Sequence, residues 1–308
     1  MKMKFYGVRG SYPTPDARMM GYGGKTASVA FFNENSKGKT VPLFIDAGNG
    51  IVTAGQELMK GLFDGSVNTT FPILFTHLHP DHTEGFTFFA PNFLPQVTLY
   101  LLGMETLKKN VGAVLKQKML PPTYPIEYRD LKSYRNHGVL SDGQRIAITA
   151  SGIPIPYTDT AAKANKDELV YIVDVMQSFA PSHPQQGALY FKVTDAKTSK
   201  SVACIWDIES HTGGDMRVIN FAKGCDYMIH DTQYTDEEYY SNKMIVQGFG
   251  HSTYNMAIEN ATKAGIGTLI PFHYNPNHTD EKLNEIFNNF KDKSILQFMA
   301  KEGMAIEI

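Results

Sequence analysis

Five short apolar runs in this chain each end in a residue able to bind a metal, and that recurrence constrains the fold more than any other feature. "VPLFI" leads into Asp46, "FPILFT" into His77, "SVACIW" into Asp207, "DYMI" into His230 and Asp231, and "GTLIPF" into His273. Runs of this length, rich in β-branched and aromatic residues and closed by turn formers, read as strands. "MKFYGV", "ASVAFF", "QVTLYLL", "GALYFKV" and "SILQFM" read the same way, and helices are expected over 51–61, 104–117, 213–223, 252–264 and 279–291. Strands dominate early and alternate with helices later, which gives an α/β class. A rigid sheet edge holds ligands that mobile loops position poorly, so these strand ends are expected to build one shared site. Taken singly, an Asp such as Asp46 before "AGNG" equally serves a turn or a helix cap.

The densest cluster is "THLHPDH", with His77, His79, Asp81 and His82 within six positions. In an extended segment His77 and His79 point the same way, because side chains repeat every second residue. Pro80 then breaks the strand, so Asp81 and His82 reach a second position close by. Imidazole and carboxylate ligands favour zinc, with manganese or iron as alternatives, and the shortage of cysteine argues against a closed structural zinc site.

The chain has 308 residues, enough for one large domain or two small ones, and no repeat or linker composition divides it. A single domain is favoured, with a surface excursion at about 119–168 that is rich in Pro, Tyr and charge and includes an exposed loop over 156–168. The formal charge of −2 provides no global attraction for nucleic acid. Two cysteines, Cys204 and Cys225, are too few for a disulfide framework. With no export signal at the N-terminus and no long apolar span, a cytoplasmic location away from membranes is expected.

"THLHPDH" resembles the signature of the metallo-β-lactamase superfamily of hydrolases. "GVRGSYPTPDARMMGYGGKTAS", "LFIDAGNGI", "HPQQGALYFKV", "ACIWDIES", "HDTQYTDEEY", "GFGHST" and "PFHYNPNHTD" follow in the order of its phosphodiesterase branch, covering nearly the whole chain. That branch includes the tRNA 3′-end processing nuclease and the carbon-phosphorus-lyase cyclic phosphodiesterase. The resemblance implies a four-layer αββα sandwich with a two-metal site at one edge of the sheets. It assigns His77, His79 and His183 to one ion, Asp81, His82 and His273 to the other, and Asp207 between them. His251 in "GFGHST" is the candidate proton donor, counted with Asp81 as catalytic, and Asp231 is expected to orient a neighbouring imidazole. His278 and Lys25 are candidate substrate contacts; Lys25 stands in "GGKT" where the branch usually has an uncharged amide, while Arg9 meets either a phosphate or a structural partner. His230 is read as structural.

Two divalent ions bring four positive charges; Asp81, Asp207 and a bridging hydroxide return three, leaving about one unit positive and a preference for anionic substrates. Metal lowers the pKa of water from about 15.7 to about 7, so a bridging hydroxide is the expected nucleophile. The favoured activity is hydrolysis of a small or cyclic phosphodiester, such as a cyclic nucleotide. A nucleic acid substrate is not favoured, because no long tRNA-gripping arm is visible, and a homodimer is compatible with the sequence. The alternatives are a lactam, lactone or thioester hydrolase of the same fold and a non-catalytic metal-binding scaffold; His79 stands where the superfamily's di-iron reductases carry Glu.

Overall fold

The computed structural model describes every residue except 123, 159, 161–167, 179–186 and 291–294. Two mixed sheets face each other. From edge to edge, the first runs β14 (Ala305–Glu307), β1 (Lys2–Gly7), β2 (Ser28–Glu34), β3 (Thr40–Ile45), β4 (Thr70–Leu74), β5 (Thr98–Gly103) and β6 (Tyr134–Val139). The second runs β13 (Thr268–Phe272), β12 (Tyr227–Asp231), β11 (Ser201–Ile205), β10 (Leu189–Asp195), β9 (Leu169–Gln177), β7 (Arg145–Thr149) and β8 (Pro154–Pro156).

Alternation along the strands explains the layering. Phe5, Val29, Phe31 and Leu43 from the first sheet pack with Val173, Phe191, Val202 and Trp206 from the second in the central core. The opposite faces are covered by helices. Ile51, Ala54 and Leu58 of α1 (Gly50–Asp64) and Leu115 of α3 (Val111–Lys118) pack with Phe44, Phe71 and Leu99. On the second sheet, Val218 and Ile219 of α4 (Met216–Ala222) and Ala257 and Ala261 of α6 (Tyr254–Ala264) pack with Ala203, Ile205 and Met228. The expected αββα sandwich is the observed one.

Parallel pairing then decides where the site lies. β3 through β6 are parallel to one another, as are β11 through β13, so the C-terminal ends of β3 and β4 share one edge and those of β11 to β13 share another. Short connections complete the edge: α2 (Pro80–Thr83), α5 (Asp236–Tyr239) and α7 (Asp280–Phe290).

Two local expectations are corrected. The segment 104–117 is helical only from Val111, because Asn110 caps Ala113 N at 3.0 Å while Leu107 and Lys108 take positive φ. "SILQFM" forms no strand over its described residues 295–299; it meets β13 through Leu269 N to Ile295 O at 2.9 Å, then buries Leu296 and Met299. The stretch 119–168 contributes β6, β7 and β8, strands at or near the free edges of the sheets, and most of the loop at 156–168 lies outside the described residues.

Candidate metal centre

The strand-end residues turn toward one another through a backbone conformation that side chains seldom adopt. Asp46 and His273 directly follow β3 and β13, Asp207 lies two residues beyond β11, and the three have φ of 60°, 62° and 58°. Left-handed non-glycine residues are uncommon and are retained where surrounding structure fixes them, often at functional sites. Here the reversal ends the ladder and swings each side chain into the gap between the sheets.

Beyond β4, Pro80 takes the first position of α2, with His79 as its cap residue, so the chain coils immediately after His79. Thr83 Oγ1 donates to His79 O at 2.8 Å and closes that turn. The rings of His77 and His79 lie with centroids 4.5 Å apart, and His82 returns to 4.2 Å from His77.

One ligand atom from each of Asp81, His82, Asp207 and His273 lies within 4.8 Å of the others, and all four residues are buried. His82 Nε2 is 3.2 Å from both Asp81 Oδ2 and Asp207 Oδ2; His273 Nε2 is 3.4 and 3.3 Å from the same two oxygens. Neither nitrogen has an aligned hydrogen bond to a described residue. Buried nitrogens and carboxylates set around a common point, rather than aimed at each other, fit a divalent cation. His77 Nε2 stands 3.8 Å from Asp207 Oδ1, which places Asp207 between the His77 side and the His82 and His273 side.

The outer nitrogens are held from behind. His82 Nδ1 meets Asp46 Oδ2 at 2.7 Å, and His77 Nδ1 meets Thr76 Oγ1 at 3.1 Å. Thr76 itself donates its amide and hydroxyl to Asp46 at 2.8 and 2.7 Å. Ser11 N donates to Asp81 Oδ2 at 2.8 Å. Such partners fix ring orientation and ligand basicity.

Charge in the cluster is strongly redistributed. Burial acts to raise Asp81 and Asp207, but the adjacent imidazoles, His82 foremost for Asp81 and His273 foremost for Asp207, hold both well below the usual carboxylate range. Burial acts to lower His82, yet Asp81, Asp207 and Asp46 raise it well above an ordinary histidine; His77, facing burial and the His82 charge, is pushed well below. Buried carboxylates facing imidazoles suit a divalent cation, which would leave the imidazoles neutral.

Asp231 gathers the neighbouring groups. Its Oδ2 accepts Asp207 N at 2.9 Å and lies 2.9 Å from His251 Nδ1; its Oδ1 accepts Gln233 N and Ser252 N, each at 3.1 Å. His251 stacks on His273 with ring centroids 5.1 Å apart. His230, buried, meets Asp231 O at 2.8 Å and Asn260 Nδ2 at 3.0 Å, as a structural histidine does.

Other expected contacts face different partners. His278 is buried with Nε2 2.7 Å from Glu238 Oε1, and Lys25 Nζ is 3.3 Å from Glu302 Oε2. Arg9 is wholly buried and donates to the carbonyls of Gly23, Asn275 and His278, so it ties loops together instead of presenting a charge to solvent. His183 lies outside the described residues. Asp46 was among the strand ends expected to share a site, though without a ligand role, and Ser11 was not expected there. Asp46 carried the same strand-end signal as the ligands, but a cap or turn explains one Asp equally well; a backbone amide leaves no sequence signal at all.

Histidines and carboxylates converging on the shared edge of two helix-covered sheets define a metal-dependent hydrolase of the metallo-β-lactamase fold. The chain belongs to the beta-lactamase superfamily, whose domain profile matches residues 43–274. Among its relatives, ribonuclease Z of Thermoplasma acidophilum is 23% identical, covering 98% of this chain and 97% of the relative. A structure titled a new diphosphatase from the PhnP family superposes with a TM-score of 0.63 at 14% identity, covering 100% of this chain and 97% of the other. The short form of human tRNase Z gives 0.58 at 18% identity, covering 100% and 99%. These relatives belong to the superfamily's phosphodiesterase branch.

Proposed function

We propose that this chain is a dinuclear metal-dependent phosphodiesterase, with zinc as its metal, that cleaves a small or cyclic phosphodiester. The observation that carries the reading is the Asp231 and His251 pair beside the ligand cluster, which would supply a proton to a departing ester oxygen. A departing alkoxide needs a proton, and general acid catalysis contributes about 10²–10⁴-fold.

His77, His79, Asp81, His82, Asp207 and His273, with His183, are the residues to hold the ions. Bound divalent ions supply Lewis-acid charge and activate water at neutral pH. Asp207 and Asp81 remain ionised, and the amide of Ser11 fixes Asp81 from outside. Asp231 occupies Nδ1 of His251, so the proton available for transfer is carried on Nε2. As the new bond from water oxygen to phosphorus forms and the ester bond breaks, the leaving oxygen takes the bonding pair and the Nε2 proton. Both cysteines are buried and unpaired, which supports a reducing, cytoplasmic setting.

A second reading, cleavage near an RNA 3′ end, is favoured by the near-complete coverage of the ribonuclease Z relative. Zinc-loaded protein assayed on bis(p-nitrophenyl) phosphate, a 2′,3′-cyclic nucleotide, a precursor tRNA, a lactam and a lactone separates these readings. Turnover of the small diesters above the RNA supports the proposal, RNA preference selects the second reading, and lactone or lactam turnover without diester cleavage rejects both. His251→Ala, with metal content retained, is expected to lose about 10²-fold or more on an alkyl diester.

A further inference from the structure

We propose that Glu209 is a positioning residue for His251, clamping the glycine turn that delivers the imidazole and acting on proton delivery rather than on metal binding. The inference rests on the reading of His251 as proton donor. Glu209 stands two residues beyond Asp207, and its carboxylate gathers donors from two separate segments. Oε1 accepts Tyr239 OH at 2.6 Å and Gly248 N at 2.8 Å; Oε2 accepts Gly248 N at 2.8 Å and Gly250 N at 2.9 Å. Gly248 and Gly250 have φ of 86° and 84°, a conformation that glycine adopts without strain, and this lets both amides turn to one acceptor.

The other bonds on this side of the turn include Phe249 N to Val246 O and Gln247 Nε2 to Tyr239 O, each at 3.1 Å. Phe249, between the two glycines, is 55% exposed, and Met244 and Ile245 are 70% and 72% exposed. A cavity of about 610 Å³ lined by Glu209, Gly248, Tyr239, Tyr190 and Ile208 adjoins it. Val246, packed with Tyr234, Tyr239 and Met256, is the apolar anchor of the segment. On the far side of His251, Ser252 is fastened separately, through its amide to Asp231 at 3.1 Å and its hydroxyl to Ile208 O at 2.6 Å. His251 is thus bracketed, and Glu209 supplies the upstream bracket through charge-assisted bonds to backbone amides, the stronger kind of hydrogen bond. Removing it leaves the ligands and Asp231 in place but frees the chain immediately before the imidazole.

The test uses the full zinc-loaded chain with Glu209→Ala, Glu209→Gln and His251→Ala on two diesters, one losing an alkoxide and one losing p-nitrophenolate, which departs without a proton. For Glu209→Ala the expected loss of kcat on the alkyl ester is about 10- to 100-fold, the scale of a small misplacement of a catalytic group. The loss on the aryl ester should be at least tenfold smaller, with KM and metal content as in the parent. Glu209→Gln, which keeps one carbonyl acceptor, should fall between. Amide hydrogen exchange supplies a readout independent of turnover: Gly248 and Gly250 should exchange faster in Glu209→Ala, with or without metal. Equal losses on both esters, loss of metal, or parental exchange rates overturn the proposal. If His251→Ala shows no leaving-group dependence, the proton-donor reading fails and the catalytic claim for Glu209 with it; faster exchange in that case identifies the donor assignment, not the clamp, as the error.

Discussion

Trp206 donates its indole N–H to Asp46 Oδ2 over 2.8 Å, and this bond joins the two sheets at the metal centre. Asp46 follows β3 of one sheet, and Trp206 follows β11 of the other and immediately precedes Asp207. The same oxygen receives Thr76 Oγ1 and faces His82 Nδ1. One buried carboxylate therefore touches both a candidate ligand imidazole and a side chain from the opposite sheet.

Asp46→Asn should loosen that arrangement, because one face of the amide presents donors to groups that are donors themselves. Loss of such outer partners typically lowers metal affinity about 10- to 100-fold. Zinc competition against a chromophoric chelator measures this, and parental affinity would show that His82 needs no orientation from Asp46.

Gly10 passes so close to His273 that an added Cβ would lie 2.4 Å from its Cε1 and 2.4 Å from Gln233 Oε1. Gly10→Ala must displace the imidazole or the loop. Metal affinity is expected to fall by about tenfold or more, as for other displaced ligand shells. Unchanged binding by calorimetry would mean the loop gives way instead.

Chelation should destabilise the fold. Asp81 and Asp207, 5% and 1% exposed, share the neighbourhood of His82 and His273, and a cation there binds the folded state alone. A ligand at 100 times its dissociation constant contributes about 2.7 kcal/mol. A melting temperature that rises with free zinc and falls in chelator is expected; a midpoint indifferent to metal would refute folded-state binding.

Acid stability offers a check away from the metal. Burial acts to raise Glu238, but its hydrogen bond and ion pairing with His278 bring its pKa below that of a free glutamate. A carboxylate depressed on folding contributes stability that is full above its unfolded pKa of about 4.3 and is lost as pH falls through the folded value. Glu238→Gln should therefore be less stable than the parent near neutrality, with the gap closing below about pH 4. Denaturant midpoints across that range measure it, and a gap constant with pH would assign the loss to packing.

The strand-forming runs and the "THLHPDH" segment were legible because periodicity, a proline stop and ligand chemistry are local properties. Glu209 and Ser11 were not legible, since a lone glutamate and a backbone amide resemble any others until the fold brings donors or a carboxylate to them. His278 likewise gains a partner that its place in "NPNHTD" does not announce: Glu238, forty residues away, meets its Nε2.

The sequence by itself determined the α/β class, the residues with metal-binding chemistry, and the positions at which strands stop. Only the tertiary structure decided which strand ends share an edge, because that depends on parallel pairing and sheet order rather than on local pattern. It also decided which carboxylates stand behind the ligands: Asp46 and Asp231 acquire their roles from partners up to 160 residues distant, by way of Trp206, and through His251, across a contact that no local rule encodes.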